Sequence, residues 1–384
     1  MTIDILKQAQ KIKVWGVKHR RYLHQHPELS GCEKNTSLYC QKILKELGYT
    51  VKQYENFGFI ADLDIQNANK RIAFRADMDA LAIRECNEHE YVSKNPGVAH
   101  MCGHDAHMAI ALMAAKLLVE NKDQVKVSLR FIFQPHEEEL PGGSLEMIKQ
   151  GCLEGVDEIY GLHNASNLQV GELATSVGAL TAASHTFDVV VRGKSCHAAR
   201  PEEGLDPLYA VTKMITDWKT NIAEFIKPAV FGVTTVASGD AINVIPHVAK
   251  FSGIFRVFDQ STEEYIKQYI DKDLVGLRSQ GYGCEIEYHA GYDALVNGEY
   301  GVGRVISAAK NFLNVNNIND KVGPFTFAED FCYYLQHKPG AFFLLGCGNV
   351  EKGIVAPVHS ANFDIDEDVI PIGAAIFCEL VFGL

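Results

Sequence analysis

Residues 184–193 read SHTFDVVVRG, and here the pattern of the chain changes. This stretch reads as a strand. LDPLYAVTKMITDWKTNI, 205–222, follows as a helix with apolar residues at helical spacing. VFGVTTVAS and AKFSGIFRVFD then read as strands, TEEYIKQYIDKDLVGLRSQ as a helix and CEIEYHA as a strand. The order β-α-β-β-α-β is the ferredoxin-like arrangement, and it is long enough to form its own small domain.

Outward from that unit the rhythm differs. Residues 5–26 and 35–48 read as helices, 71–76 and 126–134 as strands, and HMAIALMAAKLLVE, 107–120, as a buried helix. A short helix, SLEMIKQGCL, precedes a strand at DEIYGLH, 157–163, and after about 293 the alternation resumes, ending in a helix at IPIGAAIFCELVFGL. Strands alternating with helices predict a mainly parallel, doubly wound α/β sheet with helices on both faces. The predicted organisation is therefore a doubly wound domain in two parts, 1–180 and 294–384, interrupted by an inserted α+β domain at 181–293.

The 384 residues are 47% hydrophobic and 22% charged, as in an ordinary globular protein. The net charge of −12 disfavours binding to nucleic acid or an anionic membrane. No targeting segment or membrane-length apolar run is visible, so the default expectation is a cytoplasmic protein. Ten cysteines are scattered singly without a CxxC pair, which predicts reduced thiols, most of them buried.

Ligands of open α/β sheets bind beyond the carboxyl ends of the strands. Asp77 and Asp79 follow the 71–76 strand, Glu137, Glu138 and Glu139 follow the 126–134 strand, and His163 ends the 157–162 strand. The loop GVAHMCGHDAHMA, 97–109, opens the buried helix. Four loops should thus meet at one edge. A run of three glutamates is commonly a solvated turn, but here it follows an apolar strand directly. A cation would offset the repulsion, and two neighbouring carboxylates can divide metal ligation from proton transfer. HEEEL is not the helical HExxH zinc motif, because Leu140 replaces the second histidine. In extended chain His100, Cys102 and His104 would share a face, and thiolate with imidazole suits zinc-like metals. Asp105 could orient an imidazole, and His107 should already lie on the helix. Spacing alone does not choose among the three histidines.

Taken in series, HRRYLHQHPELS, FRADMDAL, MCGHDAHMA, FQPHEEE, GLHN, HAARPEEGLDP, INVIP, FAEDF and VHSANF resemble the amidohydrolase branch of the M20 metallopeptidase family, across nearly the whole chain. The resemblance implies a zinc-peptidase-like catalytic domain with an inserted lid of the dimerisation type, through which copies could associate. It implies two divalent ions per subunit, zinc or manganese, nickel or cobalt, held by Cys102, His104, Glu138, His163 and His359. It implies Glu137 as general base. His197, Asn243 and Arg256 would bind the substrate carboxylate or polarise the scissile carbonyl. Asp77 and Asp79 would support the ligands from behind. The chain departs from the family pattern at His136 and Glu139, which flank the glutamate pair, and at Ala82, where proline is common. Asp77 also stands where the wider family has a metal-binding histidine.

The expected activity is hydrolysis of the amide bond of small N-acyl amino acids, with the lid excluding water. A dipeptidase or carboxypeptidase of the same family is the alternative, and a non-catalytic metal-binding protein is disfavoured by the intact Glu137–Glu138 pair. No GxSxG motif supports a serine hydrolase.

Overall fold

The structure is a computed structural model that describes residues 4–223, 226 and 228–384. The chain divides into two compact units, one of residues 1–180, 296–323 and 330–384, the other of residues 181–295 and 324–329.

The first unit is built on an eight-stranded sheet. Its order is Thr50–Gln53, Phe59–Leu63, Ser128–Gln134, Arg71–Asp77, Glu158–Gln169, Gly340–Gly348, Leu173–Ala174 and Ile318–Asn319. The central strands from Ser128–Gln134 to Gly340–Gly348 run parallel. The sheet is more mixed than the sequence pattern predicts. Thr50–Gln53 and Phe59–Leu63 pair antiparallel, as does Phe59–Leu63 with Ser128–Gln134. The short connection at 54–58 permits a hairpin but not the long crossover that parallel neighbours need.

The helix His104–Glu120 is apolar on nearly every face, and a helix of that kind must be covered all round. It packs against Lys13–Gln25 and Val369–Phe382. It begins at His104, three residues before the predicted start. The predicted helix at 5–26 is two helices, Ile5–Lys11 and Lys13–Gln25, parted where the Ile12 N–H bonds back to Ala9 O. The helix Glu299–Lys310, which packs on Val369–Phe382, comes close enough to the sheet that a Cβ on Gly301 would lie 1.8 Å from Gly340 O. Alanine is favoured over glycine in a helix by about 1 kcal/mol. Overpacking costs about 1–3 kcal/mol, and a strand carbonyl yields less than a side chain. Gly301→Ala should therefore lower the urea midpoint despite its better propensity; an unchanged or raised midpoint would contradict this close approach.

The second unit has a four-stranded antiparallel sheet ordered Val230–Ser238, Val248–Val257, Ala183–Arg192 and Gly283–Ala290. Numbered in chain order this is 2-3-1-4, the ferredoxin-like order. Side chains of Ala183–Arg192 alternate between buried and open, with Phe187, Val189 and Val191 inward. Phe187 stacks on Phe231, and Trp218 from the helix Pro207–Asn221 meets Phe231 and Phe251. Ile266, Ile270 and Leu274, one helical turn apart on Gln260–Ser279, complete the core. Asp206 and Asp259 cap the two helices through their carboxylates. Among the described residues, no helix is long and apolar enough to cross a membrane.

Candidate metal centre

The parallel strands end at a common edge, which brings the four predicted loops of the first unit together. Asp77 is the last residue of its strand and pairs in register with Gln134. Pro135 then stops the second strand and delivers Glu137 and Glu138. His163 sits inside its strand rather than at its end, since that strand runs on to Gln169.

Ligand atoms of Cys102, His104 and His163 fall within 4.8 Å of one another, as do those of Cys102, Glu138 and His359, and those of His104, Glu137 and Glu138. Cys102 Sγ stands 3.3 Å from His163 Nε2, Glu138 Oε1 3.6 Å from His104 Nε2, and His359 Nε2 3.4 Å from Glu138 Oε1. Two ligands of one tetrahedral zinc-like ion are separated by roughly 3.3–3.6 Å, given bond lengths of about 2.0–2.3 Å. His104 Nε2 and Glu138 Oε1 are both shut from solvent without a hydrogen bond.

The surroundings aim these atoms inward. His104 Nδ1 donates to Asp79 O at 2.9 Å, which leaves the Nε2 lone pair facing the cluster. His163 Nδ1 likewise donates to Asn164 O at 2.8 Å, and Nε2 faces Cys102. Asp79 Oδ2 accepts from Ser30 Oγ and from the Glu138 N–H, so it fixes the glutamate turn. Asp77 accepts from His107 Nδ1 at 2.7 Å and from Arg75 Nη1 at 2.6 Å. Arg75 also bonds Gln134 and Asp330, which locks two strand ends together.

Charge in the cluster is unbalanced without a cation. Burial, with Glu138 and Glu137 nearby, pushes the Cys102 thiol well above its ordinary range. Burial lowers the His163 pKa to about 3, helped by His107 and His104, which keeps that ring neutral. Burial opposes a charge on His104 as well, yet Asp77, Asp79 and Glu138 outweigh it and raise its pKa to about 10. The cluster thus attracts positive charge, and a proton on His104 is the substitute when no cation is bound. A soft thiolate, neutral imidazoles and a carboxylate around that point fit a zinc-like divalent ion.

The geometry separates the histidines that spacing left open. The chain is not extended across 100–104, because Gly103 takes φ +90° and His104 opens the helix. His100 is fully buried, and neither ring nitrogen has a hydrogen bond. His107 uses both nitrogens, one to Asp77 and one accepting the Asn164 N–H, so it offers no lone pair. Asp105 does not orient any imidazole of the cluster. Its Oδ2 accepts from His24 Nδ1 and Arg20 Nε, because the start of the helix turns it towards Lys13–Gln25. Sequence reasoning also missed Arg75 and Asp330, whose role is visible only once the strands pair. FAEDF was the available signal for the latter.

The remaining predicted residues lie in the second unit. His197 pairs in register with Val244, and the Asn243 carbonyl accepts from the Ala198 N–H. His197 Nδ1 accepts the Ala199 N–H at 3.1 Å, so in the neutral ring Nε2 is the donor. Arg256 is on a different sheet, on Val248–Val257. It is half-buried, its guanidinium forms no ion pair or hydrogen bond among the described residues, and desolvation lowers its pKa.

Comparison with known proteins gives a consistent set of similarities. The model described as Peptidase family M20/M25/M40 matches residues 73–382. Thermostable carboxypeptidase 1 of Saccharolobus solfataricus is 34% identical over 374 residues, covering 95% of this chain and 94% of that protein. N-acetyl-L-cysteine deacetylase of Bacillus subtilis is 36% identical over 357 residues, covering 91% of this chain and 83% of that protein. A crystal structure from Bacillus subtilis, described as a dinuclear metal-binding peptidase from the M20 family, is similar at a TM-score of 0.86. It is 28% identical and covers 97% of this chain and 98% of that one.

Proposed function

The chain belongs to peptidase family M20/M25/M40 and is a metal-dependent amide hydrolase, and we propose that its substrates are small N-acyl amino acids. The observation that carries this reading is the joining of one cluster, Cys102, His104, Glu138, His163 and His359, buried at Cys102 and His104 and open at His359, to a second glutamate, Glu137. Those five side chains would hold two divalent ions. Zinc suits the thiolate and imidazoles, and manganese, nickel and cobalt accept similar sets.

Bound divalent ions supply Lewis acidity and lower the pKa of water. The remaining work belongs to the chain. Glu137 takes the proton from the attacking water and passes it to the amide nitrogen as the carbon–nitrogen bond breaks. Both transfers suit a carboxylate next to the ligands. His197, with Nε2–H as donor, is suited to the developing oxyanion. Arg256, whose guanidinium is unpaired among the described residues, and Asn243 are suited to the substrate carboxylate. Asp77 and Asp79 support the cluster from behind: both Asp77 oxygens accept, from His107 and Arg75, and Asp79 Oδ2 accepts from Ser30 and the Glu138 N–H.

A carboxypeptidase reading has a specific basis in the 34% identical relative of that name. It differs only in the acyl side of the substrate. An assay of the metal-loaded protein on acetyl, benzoyl and dipeptide substrates of one amino acid separates the two. Turnover of the N-acyl compounds is expected. No turnover of any of them, with peptides cleaved, would transfer the activity to the peptidase reading.

His107 offers a milder test of the ligand geometry. Partners that hold metal ligands in place are worth about 10–100-fold in metal affinity. His107→Leu leaves Asp77 Oδ1 without its donor and should weaken divalent-ion binding within that range, measured by competition with a chromogenic chelator. Unchanged affinity would show that Asp77 is fixed adequately by Arg75 alone.

A further inference from the structure

A second group of metal-ligating side chains lies in the first unit, on the other side of Asp105. His24, Glu85 and His89 each place a ligand atom within 4.8 Å of the other two. His24 Nε2 is 3.0 Å from Glu85 Oε1, and His89 Nε2 is 3.4 Å from the same oxygen and 3.9 Å from Asp364 Oδ2. His24 and Glu85 side chains are 0% and 4% exposed, and His89 and Asp364 only 18% and 21%. This is not an acidic surface cluster, which would carry no weight by itself.

We propose that His24, Glu85, His89 and Asp364 form a further divalent-cation site of structural character, suited to Zn2+. It lies outside the catalytic reading.

Three independent features support it. The first is the state of His89. Both of its ring nitrogens are shut from solvent, and neither has a hydrogen bond. Its ring stacks on Tyr91 at 3.7 Å, so packing holds it in place without satisfying it. Leaving a buried polar group unsatisfied costs about 1–3 kcal/mol, and an ion beside Nε2 removes that cost. A proton shared between His24 and Glu85 would satisfy His24 but leave His89 stranded.

The second feature is the orientation of the ligands. His24 Nδ1 lies 2.8 Å from Asp105 Oδ2, so the ring can donate there and present Nε2 as a lone pair. A histidine backed by a carboxylate is a usual arrangement for a metal ligand. Glu85 is oriented in turn: Oε2 accepts the Ser93 N–H, and Oε1 faces the histidines, with Asn87 Nδ2 also on it. Separations of 3.0 to 3.9 Å bracket the roughly 3.3–3.6 Å expected for nitrogen and oxygen ligands of one tetrahedral ion.

The third feature is charge. Glu85, Asp105, Asp364 and Glu367 carry four negative charges, against two positive ones on Arg20 and Arg21, which pair with three of them. With both histidines neutral the group is left at −2, the charge that one divalent ion neutralises. The ion would pin the 85–91 loop to the helix Lys13–Gln25 and to Asp364, ahead of Val369–Phe382.

The test is metal stoichiometry of the full chain. Protein stripped of metal is reloaded with Zn2+, freed of excess by gel filtration and counted by elemental mass spectrometry. His89→Ala should hold one ion fewer per chain than the unaltered protein. The His89 ring makes no hydrogen bond among the described residues, so its removal strands no hydrogen-bond partner there, and folding is checked by circular dichroism. Glu85→Gln should lose the same single ion. Equal ion counts in the unaltered protein and His89→Ala would overturn the proposal. The catalytic reading is followed separately by cobalt loading, where Cys102 gives a thiolate-to-cobalt charge-transfer band that both variants should retain. Absence of that band in every protein would defeat the catalytic ligand set while leaving the one-ion difference intact.

Discussion

Glu137→Gln should reduce turnover of N-acyl amino acids by about 10⁴-fold while the protein keeps its metal. General acid–base catalysis contributes about 10²–10⁴ in rate, and the upper end applies when one group serves both proton transfers. Glutamine matches glutamate in shape and cannot take a proton, so binding and packing should survive. The adjacent glutamate provides the contrast. Glu138 is grouped with Cys102 and His359, and its Oε1 lies 3.6 Å from His104 Nε2 and 3.4 Å from His359 Nε2. Glu138→Gln should lose metal together with activity. A real competitor exists, because Glu137 is also grouped with His104 and Glu138 and could be a ligand itself. Metal content of the two variants decides. Full metal with lost activity in Glu137→Gln assigns the base, and metal loss in that variant assigns a ligand. Retained activity would remove Glu137 from the chemistry.

The α/β class, the insertion and the converging loops could be read because they depend on local pattern. Apolar runs such as RIAFRA and SLRFIFQ end abruptly in acidic residues, and a polar group at the end of a buried strand has few places to go. The unread parts depend on pairing across long distances. Phe59–Leu63 is five residues between turns, too short for its antiparallel partner to be inferred. Gly340–Gly348 is fully buried, and buried strands and buried helices look alike in composition. His104 and His107 differ not in spacing but in hydrogen bonds. The Asn164 N–H occupies the ring nitrogen of His107 that would otherwise be available. Asp105 looked like an orienting carboxylate for the cluster. Its partners, Arg20 and His24, lie on a helix some eighty residues earlier, a pairing that no local pattern reveals.

Breaking the Arg20–Asp105 pair should destabilise the protein by about 3–5 kcal/mol, because removing one member of a fully buried ion pair leaves the other uncompensated. Both side chains are 0% exposed, and Arg20 Nε lies 2.7 Å from Asp105 Oδ2. Arg20 also reaches Asp364 at 3.0 Å and Glu367 at 3.4 Å, so Arg20→Leu strands more than one carboxylate. Asp105→Leu leaves Arg20 two remaining partners and should cost less. Because well-packed apolar residues often replace a buried pair without loss, the double variant should recover part of the stability lost by Arg20→Leu alone. Chemical denaturation of all four proteins gives the coupling energy directly. The sign of the pH effect follows from Asp105. Burial raises its pKa, but Arg20 first and His24 next outweigh burial and hold the carboxyl well below the ordinary range. Its stabilisation is complete above the unfolded carboxylate pKa of about 3.9 and is lost only as pH falls towards the folded value. Without Arg20 the folded pKa rises, so less of that stabilisation remains and the acid-unfolding midpoint should move to higher pH. An unmoved acid midpoint in Arg20→Leu, with additive denaturation energies in the cycle, would mean that the pair contributes packing rather than charge.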